Sequence, residues 1–510
     1  DPGPDSVVLW TRLSGQEDGA AVTWRVATDE GFNALVATGS TAASAARDYT
    51  VKVLPTGLPS GATLYYQFEA GGEASPVGRT RTLPTGNLAA LGIAVVSCSN
   101  YPFGRFNAYQ AIADDPDIDV VVHLGDYIYE YSEDGYGAEA GRRLGRVHEP
   151  RHETVTLADY RQRHAQYKRD EGSLALHARH PLIPTWDDHE STNNPWAGGA
   201  QNHQDDEGAW PDRRSVSLRA YYEWMPVREP GLGEPLEQRR FHFRFGDLAS
   251  LFAVETRHLA RAQQIELSDH AESLTSPEAA AAFYSEIVGA PNRAMISKGD
   301  AAFLFEGLKA SVAERQPWRI LANQTILARV VSPDLNDEVF QQAVSGASER
   351  ARRQAARLTE VGDLAIPANL DAWDGYPVAR EALFALCDEA QARDLLVITG
   401  DTHVFWQNRL ANVQGIAMGV ELGTSGVSSP RGWSDLGSAA MGRFDELVAA
   451  QNDSVDWTDG SHRGYIKLTL TRESARADYV SVSTIVTRHF TTDVMRSVQI
   501  VPEDGSLTFA

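Results

Sequence analysis

One pattern constrains this chain more than any other. An apolar run recurs, and each time it ends on residues able to bind a metal ion or a proton. It appears as LGIAVVSCSN at residues 91–100, DIDVVVHLGDYIY at 117–129 and LLVITGDTHVF at 395–405. A shorter, weaker version, LIPTWDDHE, stands at 182–190. Unbroken apolar runs of about five to seven residues fit strands buried on both faces. Helix-like stretches lie between them: LADYRQRHAQYKRD, SPEAAAAFYSEIVG and KGDAAFLFEGLKASVAE. The expectation is a layered α/β domain with helices covering both faces of its strands. In such sheets ligands bind just past the carboxyl ends of the strands.

At 510 residues the chain is too long for one ordinary core. Residues 1–85 read differently from the rest. SVVLWTRL, AAVTWRVATD and ATLYYQFEAGG are short runs rich in Val, Thr, Trp, Tyr and Phe, separated by Gly, Pro, Asp and Ser. They predict a small β-sandwich of immunoglobulin or fibronectin type. Leu83-Pro84-Thr85-Gly86-Asn87 reads as a linker, and 90–510 as the second domain. Within it, 330–365 is charged and Arg-rich, which predicts a solvated helix or lid. GYIKLTLTRE, ARADYVSVST and MRSVQIVPED alternate apolar and polar residues and read as antiparallel strands closing the domain.

Five segments carry candidate ligands or polar partners at strand ends: Cys98 with its neighbours, Gly125-Asp126-Tyr127-Ile128-Tyr129, Trp186-Asp187-Asp188-His189-Glu190, Glu255-Thr256-Arg257 and Gly400-Asp401-Thr402-His403. Each has an ordinary reading by itself. A lone Cys after an apolar run is usually core, Gly-Asp is a common turn, and Asp-Asp-His-Glu can cap a helix. Together they put several carboxylates and imidazoles at buried strand ends, which calls for a cation to neutralise them. Cys98, Asp126, Tyr129 and His403 form a mixed S/O/N set suited to a trivalent or borderline transition ion, iron first. Asp126, Asp188 and Asp401 offer oxygen only and suit a hard divalent ion such as Ca²⁺ or Mg²⁺. Asp126 can serve both sets. The net charge of −23 argues against nucleic acid held by bulk charge, and a phosphate substrate would need just such local cations.

Gly-Asp-x-x-Tyr, Asp-His-Glu and Gly-Asp-x-His resemble the signature of the calcineurin-like metallophosphoesterases. Relatives have Asn-His-Glu and Gly-His-x-His at the last two. Cys98, the double Asp187-Asp188 and Gly400-Asp401-Thr402-His403 are similar to the PhoD-type alkaline phosphatase branch. So are the opening DPGPDSVVLWTRL, Leu157-Ala158-Asp159-Tyr160-Arg161 and Asn193-Asn194. The resemblance covers nearly the whole chain. It implies Fe³⁺ on Cys98, Asp126, Tyr129 and His403, and one or two Ca²⁺ on Asp126, Asp188 and Asp401. It also implies His189 as the catalytic group facing the phosphate. Arg257, in a Glu-Thr-Arg that stands where relatives have Asp-Thr-Arg, would be a second substrate contact.

The expected function is hydrolysis of a small phosphoester, with a metal-activated water or hydroxide attacking phosphorus in line. Ser99 is the best candidate for a protein nucleophile, although none is required. The rival readings are phosphodiesterase or phospholipase D-like cleavage at the same site, and a non-catalytic phosphate- or surface-binding protein using the β-sandwich. No protein partner is implied, and no apolar run is long enough to span a membrane. A start at Asp1-Pro2-Gly3-Pro4 suggests a removed leader, hence secretion or a place in the periplasm or cell envelope. Of the two cysteines, Cys98 is expected as a metal-bound thiolate and Cys387 as a buried thiol in a helix.

Overall fold

A computed structural model describes residues 1–15, 17–231, 233–367, 369–432 and 434–510. The first seven strands are β1 (Leu9–Arg12), β2 (Ala21–Ala27), β3 (Leu35–Ala42), β4 (Thr50–Val53), β5 (Thr63–Ala70), β6 (Glu73–Ala74) and β7 (Gly78–Arg81). β1 pairs with β4 antiparallel, while β2 lies between β3 and β5 in a second antiparallel sheet. Leu9, Val51 and Val53 of the first ribbon share one core with Val22, Val26, Leu64 and Phe68 of the second. Alternation along β2 and β5 turns Val22, Trp24 and Val26, and Leu64, Tyr66 and Phe68, toward that core. The ribbon docks on helix Trp210–Trp224: Trp10 Nε1 donates to Glu223 O at 2.9 Å, and Lys52 Nζ to Tyr222 O.

The rest is built on two seven-stranded mixed sheets. The first runs β10 (Leu182–Pro184), β9 (Val120–His123), β8 (Ala90–Val96), β20 (Arg463–Thr471), β21 (Ala475–Val482), β22 (Thr492–Glu503) and β23 (Ser506–Phe509). The second runs β13 (Phe241–Phe245), β14 (Ala249–Ala253), β15 (Trp318–Ala322), β16 (Leu395–Thr399), β18 (Ala417–Gly423), β17 (Phe405–Ala411) and β19 (Val455–Asp459). A two-residue hairpin, β11 (Pro195–Trp196) and β12 (Gly199–Ala200), lies outside both. β8, β9 and β10 are parallel, as are β14, β15, β16 and β18.

The apolar runs are buried on both faces, but not by helices on both. Ile93, Val95 and Val122 of the first sheet pack against Leu251, Ile320 and Ile398 of the second. The alternate residues Ala94, Val96 and Val121 meet Tyr109, Tyr160 and Tyr167 of the helices on the outer side. Val397 and Leu321 likewise meet Leu304, Leu383 and Cys387 of helices Lys298–Ala313 and Pro377–Glu389. The order is helix, sheet, sheet, helix. An apolar run reports only that both faces are dry, which a second sheet satisfies as well as a helix. The closing strands also do more than expected, since β20 pairs with β8 and extends the first sheet. The Arg-rich segment forms helices Glu338–Ser345 and Glu349–Asp363. It exposes Arg350 and Arg353 but buries Ala351 and Ala355. Among the described residues no helix is long and apolar enough to cross a membrane.

Two buried histidines set an acid limit on this packing. His164 and His258 have no hydrogen-bond partner for either ring nitrogen. Burial, aided by Lys168 and Arg214 respectively, lowers each pKa to about 3. Both are neutral in the fold and become charged on unfolding below about 6.5. Their contribution is intact above pH 6.5 and is lost as pH falls from there toward 3. His164→Gln, which cannot titrate, should flatten the pH dependence of unfolding free energy in that window by about 1 kcal/mol per pH unit. Urea unfolding between pH 4 and 7 measures it, and an unchanged slope would refute it.

Candidate metal centre

The parallel strands of both sheets deliver their carboxyl ends to one edge. Four candidate ligands there adopt left-handed backbone without being glycine: Cys98 (φ 60°), Asp126 (57°), Asp401 (62°) and His403 (59°). That conformation costs about 1–2 kcal/mol per residue, and such strain gathers where a fixed side-chain direction is needed. The glycines of the two Gly-Asp pairs have a separate cause. A Cβ on Gly125 (φ 104°) would lie 2.3 Å from Asp187 N, and one on Gly400 would lie 2.6 Å from Ser97 Oγ. Only glycine lets these loops cross so closely.

The crossing assembles three sets of donor atoms, each within 4.8 Å of one another: Cys98, Asp126 and His403; Asp126, Asp188 and His189; Asp187, Asp188 and Asp401. The first and second share Asp126, and the second and third share Asp188. Tyr129 joins the first set. Its hydroxyl donates to Asp126 Oδ2 at 3.0 Å, lies 3.1 Å from His403 Nε2, and accepts from Ser429 Oγ at 2.8 Å. His403 Nδ1 is 2.7 Å from Pro430 O. That contact assigns the proton to Nδ1 and leaves the Nε2 lone pair for a ligand. Burial lowers the His403 pKa to about 3, so the imidazole is neutral.

The charges do not balance without a cation. Burial raises Asp126 and Asp401 well above the carboxylate range, with Asp188 adding to the first and Asp187 to the second. Burial also pushes the Cys98 thiol and Tyr129 phenol up, and Asp126 raises both further. Asp187 is pushed up to about 6 by burial, against Arg257. Burial opposes ionisation of Asp188 too, but His189 and Arg257 hold it well below its ordinary value. Asp187 Oδ2 and Asp188 Oδ1 are buried with no hydrogen-bond partner. Buried acids and a buried thiol in this arrangement fit metal ions, which would stabilise every anionic form at once.

Residues around the centre fix it in place. Glu190, which could have capped a helix, instead accepts from the backbone N–H of Asp126 (3.1 Å), Tyr127 (2.6 Å) and Asp187 (2.9 Å), tying two ligand loops together. Arg163 reaches Tyr129 O and Glu149 O from below. Glu130 Oε2 lies 2.7 Å from His189 Nδ1, and the His189 ring stacks on Tyr129 at 4.2 Å. Burial alone would lower the His189 pKa, but Asp188, Glu130 and Asp126 raise it well above the usual value. Ser99 Oγ donates to Tyr127 O at 2.9 Å and so orients the loop. Cys98 and Cys387 are both free and buried.

Arg257 sits among the acids of the centre. It is fully buried, with Nε donating to Asp187 Oδ1 at 2.6 Å and Nη1 to Asp371 Oδ2 at 2.7 Å. Nη2 points toward Asp401 at 3.7 Å and Asp188 at 4.0 Å. Its charge is taken up by the acids behind the centre. Glu255 pins the turn by accepting from the N–H groups of Arg257, His258 and Leu259. Sequence reasoning missed Glu130, Asp371, Ser429 and Pro430. Glu130 directly follows Tyr129, a local signal that could have been read. The others stand in segments with no such signal.

The chain is similar to known proteins over nearly its whole length. The family model described as PhoD-like phosphatase matches residues 93–479, and that of the PhoD-like phosphatase N-terminal domain matches residues 1–84. The chain is 32% identical over 497 residues to alkaline phosphatase D of Bacillus subtilis (strain 168), covering 94% of this chain and 76% of that protein. A solved structure of PhoD superposes with a TM-score of 0.81 at 30% identity, covering all of this chain and 90% of its own.

Proposed function

Since the chain belongs to the PhoD-like phosphatase family and is a phosphoric ester hydrolase, we propose that its centre holds two kinds of cation joined at Asp126. Cys98, Asp126, Tyr129 and His403 would hold iron(III), and Asp126, Asp188 and Asp401 would hold calcium, with Asp187 grouped with the last two. The carrying observation is the asymmetry around Asp126: thiol, phenol and imidazole donors on one side, and on the other Asp188 with His189, Asp188 being grouped in turn with Asp187 and Asp401. Bound ions of this kind supply the positive charge that draws a phosphate in and makes water a better nucleophile.

The protein's own residues do the rest. Glu130 holds His189 by Nδ1, which leaves Nε2 directed at the carboxylate side, 3.9 Å from Asp188 Oδ2. A protonated His189 donates to a phosphoryl oxygen or to the departing alkoxide. Arg257 offsets the acids through Nε and Nη1, and its Nη2, which has no hydrogen-bond partner, is the part left for a phosphate. Export to the cell envelope or beyond belongs to the same proposal and rests on the family resemblance.

The test compares 4-nitrophenyl phosphate with bis(4-nitrophenyl) phosphate, with and without chelator. Monoester turnover should vanish on chelation and return with iron and calcium. Chelator-insensitive turnover would overturn the reading, and the diester arm tests diester cleavage at the same centre. Glu130→Gln should lower kcat by about 10- to 100-fold, the usual cost of losing a residue that orients a site histidine. It should also move the alkaline limb of the pH–rate profile to lower pH, because an anion that raises the His189 pKa is gone. An unmoved limb would remove His189 from the proton-transfer role.

A further inference from the structure

The dipeptide Ser429-Pro430 touches three of the four donors on the thiol side of the centre. Ser429 N donates to Cys98 O at 3.2 Å. Ser429 Oγ accepts from Asn100 N and donates to the Tyr129 hydroxyl at 2.8 Å. Pro430 O accepts from His403 Nδ1 at 2.7 Å and from the Tyr136 hydroxyl at 3.0 Å. This short strap therefore sets where phenol and imidazole lie relative to the thiol.

One side chain ties the strap to the His403 turn. Arg463 opens β20, the strand that pairs with β8 as β8 runs toward Cys98. Its Nη1 donates to His403 O at 2.9 Å and to Ser429 O at 2.7 Å, and its Nη2 donates to Gly460 O at 2.7 Å. His403 keeps left-handed backbone (φ 59°) at that point, a conformation its surroundings must hold in place. Arg463 is buried, and among the described residues it forms no ion pair. Asp459, an acid whose charge reaches it, bonds His462 instead. A buried cation without an ion-pair partner is a costly way to fill space, and an apolar side chain of similar length would cost less. What the guanidinium offers is a rigid fork that holds several carbonyls at fixed angles, which a lysine cannot do.

Resting on the two-cation reading above, we propose that Arg463 is a positioning residue for the thiol–imidazole side of the centre. By holding the carbonyls of His403 and Ser429 with one nitrogen, it fixes the angle at which the His403 imidazole and the Tyr129 phenol meet a cation. It touches neither substrate nor metal and acts through those two ligands.

Arg463→Gln tests this, since the amide is shorter and cannot reach both carbonyls. Folding is checked by circular dichroism and thermal melting. Iron affinity, measured by competition with a chelator, should fall by about 10- to 100-fold, the usual cost of losing a group that orients metal ligands. The visible band of the iron-loaded protein should shift or weaken. Calcium content should stay native, because among the described residues Arg463 makes no hydrogen bond to Asp188 or Asp401. Arg319→Gln is the control. Arg319 is also buried, but it pairs with Asp394 at the amino ends of β15 and β16, away from the centre. It should lower the melting temperature and leave the band alone. A folded Arg463→Gln protein with the native band and iron affinity within about threefold of native overturns the proposal. So does a control that moves the band equally. If Arg463→Gln does not fold, Arg463→Lys decides: it keeps the charge but not the fork, so a native band and affinity in that variant overturn the proposal. A native protein that takes up no iron ends the two-cation reading and this inference with it, whereas a native band indifferent to residue 463 ends this inference alone.

Discussion

Asp126→Asn should lower phosphate release from a monoester by about three orders of magnitude, a loss of ~4 kcal/mol of transition-state stabilisation. The reason is its position. Asp126 belongs to the thiol–imidazole set and to the set with Asp188 and His189, and its Oδ2 also takes the Tyr129 hydroxyl. Asn is the same size and keeps one neutral oxygen, so the left-handed turn survives, a conformation Asn tolerates well. What disappears is the negative charge both cations would share. Metal content measured on the same preparation should fall for iron and calcium together. Asp188→Asn provides the contrast, since Asp188 is absent from the thiol–imidazole set. It should cost about 10²- to 10³-fold in turnover while iron is retained. Activity within tenfold of native in both variants would end the two-cation reading.

The second large effect is on colour. A ferric ion bound to thiolate and phenolate absorbs visible light, and neither calcium nor zinc does so. Native protein loaded with iron should therefore be coloured. Cys98→Ser should bleach or strongly shift the band, because a hydroxyl is a far poorer anionic ligand than a thiolate. Tyr129→Phe should weaken it while the ring still stacks on His189. The Tyr129 phenol is pushed up by burial and by Asp126, so a tightly bound cation is needed to ionise it. Loss of the phenol should also free Ser429 Oγ, with little effect on folding. Asp188→Asn should leave the spectrum nearly intact. A colourless, fully active preparation free of iron would defeat the iron assignment and leave the phosphoester hydrolase standing.

Much of this site was legible because its ligands lie at the ends of strands that announce themselves. Ile93, Val95, Val120 and Val122 belong to runs that only buried strands explain, and Cys98 and Asp126 follow within a few residues. Gly125 and Gly400 were legible too, as the partners of Asp126 and Asp401. Short-range sterics and burial act within such a window, so a linear reading can recover them. At Arg257 the residue type suits phosphate, and only the structure shows that Asp187 and Asp371 take Nε and Nη1 of its guanidinium.

The rest depended on contacts between segments far apart in the chain. An apolar run could not say that β16 faces β8 across a second sheet, because the burial is the same under a helix. Nothing near His189 marks Glu130, 59 residues away, as its partner, and nothing near Tyr129 marks Ser429, 300 residues away. Glu190 has the spacing of a helix cap, and only the crossing of the Asp126 and Asp187 loops turns it into a clasp. The sequence by itself therefore determined which residue types arrive at the edge and on which strands. Tertiary structure decided which acids are paired and which remain free for a cation. Backbone preference and hydrophobic periodicity are local, whereas the pairing of buried charges is settled only when distant loops exclude water together.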